Sequence, residues 1–189
     1  WVLGVVLIIV GIALLLVNPI QQHLIRKVTA AQPISSLTVS AIEENQNAEA
    51  NFDFDQTASV NWEGLLASYD IKNDLPVIGG IAIPSLDLRL PIMNGLADVN
   101  LYAGAGTMSP DQAMGMGNYP LVSHNMAKPG LLFSDIDYMN AGDLIYLTDL
   151  SHVYVYQTLS VEMVAPTRVD VLNEVPGKQL VTLVTCSDD

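Results

Sequence analysis

Gln179-Leu180-Val181-Thr182-Leu183-Val184-Thr185-Cys186-Ser187-Asp188-Asp189 closes the chain and holds its single cysteine. Val181, Leu183 and Thr185 alternate with Thr182 and Val184 in a β-branched run that predicts a buried strand, and the run then breaks into Ser-Asp-Asp. A strand end is where a stiff element presents a side chain to a cleft. One cysteine cannot close an intramolecular disulfide, so Cys186 is inert packing, an intermolecular link or a reactive thiol. Chemistry alone leaves packing and reactivity evenly matched, because free cysteine is among the most buried residue types.

A second strand end resembles the first. In Tyr119-Pro120-Leu121-Val122-Ser123-His124-Asn125-Met126 a short apolar run stops in polar residues at His124. A thiol with an ordinary pKa near 8.5 is only a few per cent thiolate at neutral pH, so a cysteine nucleophile needs a histidine as base or ion-pair partner. The chain has three histidines. His23 follows an apolar segment, and His152 lies in Asp149-Leu150-Ser151-His152, a turn before the strand Val153-Tyr154-Val155-Tyr156. Both read more readily as bystanders, and a lone cysteine and histidine distant in sequence are weak evidence of a pair, since such pairs must meet in space.

Toward the other end, Val2 to Val17 is an unbroken apolar run beginning just after Trp1. About 20 apolar residues cross a bilayer, so residues 1–17 read as a transmembrane anchor whose upstream part is missing. A cleaved signal peptide with Ala30-Ala31 at its cleavage site is the alternative. Arg26 and Lys27 follow the segment, and counted alone they place that side in the cytoplasm. Between Ala41 and Asp55 the sequence is acidic with little aliphatic periodicity, so 18–58 reads as a solvated tether. Seven basic residues against twenty acidic ones, a net charge of −13, argue against a nucleic-acid partner.

Residues 59–189 read as one domain. Trp62, Leu65, Leu66 and Tyr69 have helical spacing. From Pro76 onward, Asn94-Gly95, Pro129-Gly130, Ala141-Gly142-Asp143 and Pro176-Gly177 punctuate short strands, and Leu86-Asp87-Leu88-Arg89-Leu90 alternates with period two. Many short strands with turn signals predict a closed all-β sheet. There is no internal repeat, no glycine-rich phosphate loop and no metal-spaced cysteine–histidine cluster. Asp111, Asp135 and Asp137 are the carboxylates weighed for a calcium site, and loop carboxylates of this kind are common on surfaces.

Taken together these motifs resemble the class A sortases, cysteine transpeptidases of Gram-positive bacterial surfaces. The most specific element is Thr182-Leu183-Val184-Thr185-Cys186, followed by the strand that ends at His124. Further likeness runs through Ile78-Gly79-Gly80-Ile81-Ala82-Ile83-Pro84, Gly104-Ala105-Gly106-Thr107-Met108, Ile145-Tyr146-Leu147-Thr148-Asp149 and Val164 to Leu172.

The resemblance implies a sortase-type β-barrel with short helices behind one membrane helix, displayed on the outer face of a Gram-positive cell membrane. It implies cleavage of a Leu-Pro-x-Thr-Gly (LPXTG) sorting signal between Thr and Gly, and transfer of the surface protein to a cell-wall precursor amine on lipid II. Cys186 is then the nucleophile, His124 the acid and base, and Thr185 an oxyanion support. Ser123, Val164, Pro166, Val169, Val171 and Leu172 line the signal's groove. No cofactor is implied, and calcium serves only a subset of the family.

Sortases also carry a catalytic arginine on the strand after the cysteine strand. Arg26, Arg89 and Arg168 are the arginines of this chain, and none stands at that place. The expectation is therefore a fragment shortened at both ends, lacking the final barrel strand and the catalytic arginine, and close to inactive. A pilin-polymerising sortase and a non-enzymatic membrane-anchored β-domain, with Cys186 merely packed, are the alternatives.

Overall fold

The structure, a computed structural model, describes residues 1–54, 57, 60–126 and 128–186. Asp55, the boundary drawn at Ala58 and Ser59, and the tail Ser187-Asp188-Asp189 lie outside the described residues.

Helix α1, Val2–Thr29, outlasts the apolar run that begins it. Past Val17 the helix continues through Pro19, whose missing N–H removes one backbone bond without ending the helix. Gln21, Gln22, Arg26 and Lys27 are good helix formers, and the two cations stand in the last turn, where the helix carries partial negative charge. Its apolar half is exposed along its length, and it is the one helix among the described residues long and apolar enough to cross a membrane. The far end differs. Ile25 and Val28 are each 1% exposed and belong to the barrel's own core.

The acidic stretch departs from the solvated tether that its composition predicts. Thr38 caps a second helix, α2 (Val39–Asn47), by accepting the Ala41 N–H. Ile42 is buried on the barrel, the Asn45 amide donates to the Val77 carbonyl at 2.8 Å, and the Leu96 N–H donates to the Asn51 carbonyl. Asn94, itself buried, donates to the carbonyls of Asn45, Gln46 and Ala48. One isoleucine and a set of backbone bonds hold this segment, and neither leaves an aliphatic period in the sequence.

Helix α3, Trp62–Asp70, forms where its spacing predicts, with Asn61 accepting the Gly64 N–H as its cap. Leu65 and Ser68 turn inward, and the Ser68 hydroxyl donates to the Val99 carbonyl of a short helix α4 (Asp98–Leu101). Trp62 and Leu66 remain exposed, so the buried face is narrower than the apolar spacing suggests.

The seven strands are β1 (Val77–Ile83), β2 (Leu88–Met93), β3 (Ala105–Thr107), β4 (Asn118–Val122), β5 (Leu144–Thr148), β6 (Val153–Gln157) and β7 (Leu180–Val184). They form one sheet in the order β6-β5-β1-β2-β3-β4-β7, wrapped into a nearly closed barrel. Antiparallel pairs join β1 to β2, β1 to β5, β5 to β6 and β3 to β4, while β2–β3 and β4–β7 are parallel. The all-β barrel with short helices behind one apolar helix is the architecture expected from the sequence. One strand starts late. Pro84–Leu86 is a 3₁₀ turn and Asp87 takes the left-handed conformation at φ 49°, so the alternation around Arg89 begins at Leu88 rather than Leu86.

The barrel's interior is filled by Ile83, Ile92, Leu121, Phe133 and Leu147, each fully buried. At roughly 25 cal/mol per Å² of apolar surface, each such side chain contributes about 1.5–3 kcal/mol by leaving water.

Candidate active site

The parallel pairing of β4 with β7 builds the site. Asn118 to Val122 lie against Leu180 to Val184 residue for residue. The chains stay joined beyond the last pair: the Ser123 N–H donates to the Val184 carbonyl at 3.2 Å, and the Thr185 hydroxyl donates to the Ser123 carbonyl at 2.8 Å. His124 and Cys186 each stand two residues past the Val122–Val184 pair, at the same end of neighbouring strands. Parallel strands run about 4.8 Å apart, so two groups 62 positions apart in sequence are brought to one rim.

Their surroundings differ. Cys186 is exposed as a free thiol. His124 is half-buried, with its ring 4.8 Å from the Tyr102 ring at a tilt of 52°. Burial holds the imidazole below its ordinary pKa, and the Asp98 carboxylate opposes that shift only in part. The shift favours the neutral ring at neutral pH. Its Nε2 is buried without a hydrogen-bond partner, and a neutral imidazole leaves one ring nitrogen free to take a proton.

Tyr102 is itself fixed from both sides. Its hydroxyl accepts the Asn61 N–H at 2.5 Å and donates to the Asn61 carbonyl at 2.9 Å, so the cap of α3 holds the ring over His124. Nothing in the run Asn100-Leu101-Tyr102-Ala103-Gly104 marks Tyr102 as part of a site, because its role arises from a contact between distant elements. Gly104 permits a close approach: a Cβ there would collide with the Pro91 carbonyl.

Other residues expected at the site are placed as follows. Ser123 is buried, and its hydroxyl donates to the Gly104 carbonyl at 2.7 Å, tying the end of β4 to the turn before β3. Thr185 spends its hydroxyl on Ser123, which leaves its backbone for any oxyanion. Val164, Pro166 and Val169 are exposed, whereas Val171 and Leu172 are half-buried in a 3₁₀ turn spanning Val169–Leu172. Asn118 links this segment to the cysteine strand. It accepts the Thr182 hydroxyl at 2.8 Å while its amide donates to the carbonyls of Val171 and Asn173.

Arg168 forms a bidentate pair with Asp170 at 2.7 and 2.9 Å, on the surface. His23 is exposed on α1 and His152 is exposed in the β5–β6 turn. Among the described residues no three His, Cys, Asp or Glu side chains gather at metal-binding distance.

The chain is similar to known proteins. Residues 81–189 match the sortase domain family. Sortase A of Streptococcus agalactiae serotype III (strain NEM316) is 40% identical over 193 aligned residues, which span all of this chain and 78% of that protein. Sortase A of Listeria monocytogenes serovar 1/2a (strain ATCC BAA-679 / EGD-e) is 33% identical over 97% of this chain and 82% of its own length. The crystal structure of Listeria monocytogenes sortase A superposes with a TM-score of 0.55 at 41% identity, covering 59% of this chain and 77% of that one.

Proposed function

This chain belongs to the sortase family of cysteine transpeptidases, and from that premise we propose that it cleaves LPXTG sorting signals and passes the surface protein to a lipid II amine. The observation that carries the reading is the matched position of Cys186 and His124 at one end of the parallel β4–β7 pair.

The Cys186 sulfur attacks the carbonyl carbon of the signal's threonine as His124 accepts the thiol proton. The carbon–nitrogen bond to glycine then breaks, and His124 returns that proton to the departing amine, which leaves a thioester on Cys186. The acceptor amine attacks the thioester carbonyl, gives its proton through His124 to the leaving sulfur, and restores the thiol. A buried neutral imidazole is suited to the first transfer. The Thr185 backbone faces the developing oxyanion, and the segment from Val164 to Leu172 receives the Leu-Pro end of the signal, steadied by Asn118. Helix α1 anchors the enzyme once through the membrane, with the barrel on the outer face of a Gram-positive cell.

The test is intact-mass analysis of the protein as its gene encodes it, solubilised in detergent and mixed with a Leu-Pro-x-Thr-Gly peptide. The expected product is a thioester adduct equal to the peptide less its glycine fragment, absent in Cys186→Ala and formed about 10²- to 10⁴-fold more slowly in His124→Ala. A protein whose mass never changes, and whose Cys186 resists alkylation until unfolded, would overturn the proposal in favour of a binding domain.

A further inference from the structure

A second concave region lies away from the cysteine. A cavity of about 850 Å³ opens where the end of α1 meets β1, β2 and β5, and neither Cys186 nor His124 lines it. Arg26 and Arg89 do, along with apolar residues that include Ile34, Leu86, Leu88 and Leu132.

Three observations say what such a cavity holds. The first is charge. Both arginines are exposed, and among the described residues neither has an ion-pair or hydrogen-bond partner, in contrast to Arg168, which is locked to Asp170. Two of the three arginines in a chain of net charge −13 thus line one cavity. A guanidinium matches a phosphate's oxygens two at a time.

The second is position. Arg26 lies six residues beyond Ile20, the last large apolar residue of the exposed half of α1, which is about 9 Å at 1.5 Å per residue. The polar layer on each side of a bilayer's hydrocarbon is roughly 5–8 Å deep, and helix side chains tilt toward the N-terminus, here the membrane side. Ile25 and Val28 are buried in the barrel, which ties the cavity's height to the helix.

The third is the wall itself, apolar enough for the first methylenes of an acyl chain and open toward the cations. Two carboxylates share the rim. Asp135 already accepts the Gly130 N–H at 2.6 Å, while Asp87 is exposed and opposes an anion.

We infer that this cavity seats the phosphate headgroup of an anionic lipid drawn from the bilayer that α1 crosses, with Arg26 and Arg89 holding the phosphate. The inference rests on the membrane anchoring proposed above.

The test reconstitutes the whole protein into phosphatidylcholine vesicles with and without a minority of phosphatidylglycerol, checks insertion by resistance to alkaline carbonate, and counts retained lipids by native mass spectrometry after mild detergent extraction. Phosphatidylglycerol should be retained over phosphatidylcholine, and the Arg26→Gln/Arg89→Gln double variant should lose about tenfold of that preference. Lys27→Gln, a cation of the same helical turn that does not line the cavity, should leave it unchanged, and Asp87→Asn should strengthen it.

Failure to insert would overturn the anchoring and this inference together. Insertion with equal retention of the two lipids, or with no effect of the double variant at unchanged melting temperature, would overturn the inference alone. Loss of the retained lipid to millimolar glycerol phosphate would overturn the membrane source in favour of a soluble phosphate.

Discussion

Strands β4 and β7 are paired along their whole length, yet β4 buries every one of its residues while β7 leaves all of its residues half-exposed. Among the described residues, the first lies between β3 and β7, and the second has β4 as its one neighbour. His124 therefore follows a fully buried strand, and Cys186 a strand with one described neighbour. The difference teaches that a strand's burial follows how many neighbours cover it. Removal from water beside the covered strand is what holds the His124 imidazole below its usual pKa.

The sharpest test of this contrast uses one rung of the ladder. Leu121 and Leu183 are paired partners, the first fully buried and the second half-buried. Leu121→Ala should cost about 2–5 kcal/mol and Leu183→Ala about 1–2 kcal/mol in urea unfolding. Equal losses would break the comparison.

Tyr102→Phe removes the hydroxyl that both accepts from and donates to Asn61, and should cost about 1–3 kcal/mol. Its ring remains over His124, so turnover per folded molecule should hold. A large drop in turnover at unchanged melting temperature would assign the hydroxyl a role in the reaction instead.

On the β7 side, Asn118→Ala frees the Thr182 hydroxyl and the carbonyls of Val171 and Asn173, at a cost of about 1–2 kcal/mol. Limited proteolysis should then cut sooner between residues 158 and 175. An unaltered cleavage pattern would show that the segment is held by other contacts.

The smallest effect is the pH dependence of His124. Its folded pKa lies below its unfolded value near 6.5, so the unfolded chain binds the proton more readily. The stability that this burial permits is present above about pH 6.5 and falls as pH drops through the interval down to the folded pKa. His124→Gln should show a shallower decline over that interval than the parent protein in pH-resolved unfolding, and parallel curves would remove His124 as the cause.

Much of this molecule is legible in its residues. The exposed apolar half of α1, the capped helix α3, the β5–β6 hairpin and the strand end at Cys186 each follow from a local pattern of period, cap or turn. The sequence also singles out Cys186 and His124 as candidates, and the strand register sets them at the same end of neighbouring strands. The placement of α2 was not legible, since a single buried Ile42 and bonds from Asn45 and Asn94 leave no period to read. The extent of α1 was also hidden, because its last two turns alternate polar and apolar residues and end in the barrel rather than in lipid.

What the sequence by itself determined is therefore the candidate residues of the site and the kind of elements that carry them, because side-chain type and local periodicity act over a few residues. Only the tertiary structure decided that the Tyr102 ring lies against His124, that Ser123 turns inward to Gly104, that Asn118 joins the cysteine strand to the segment beside it, and that Arg26 and Arg89 line one cavity. Each of those contacts joins residues far apart along the chain, and their partners are chosen by strand register and by the space left in packing, which no local pattern records.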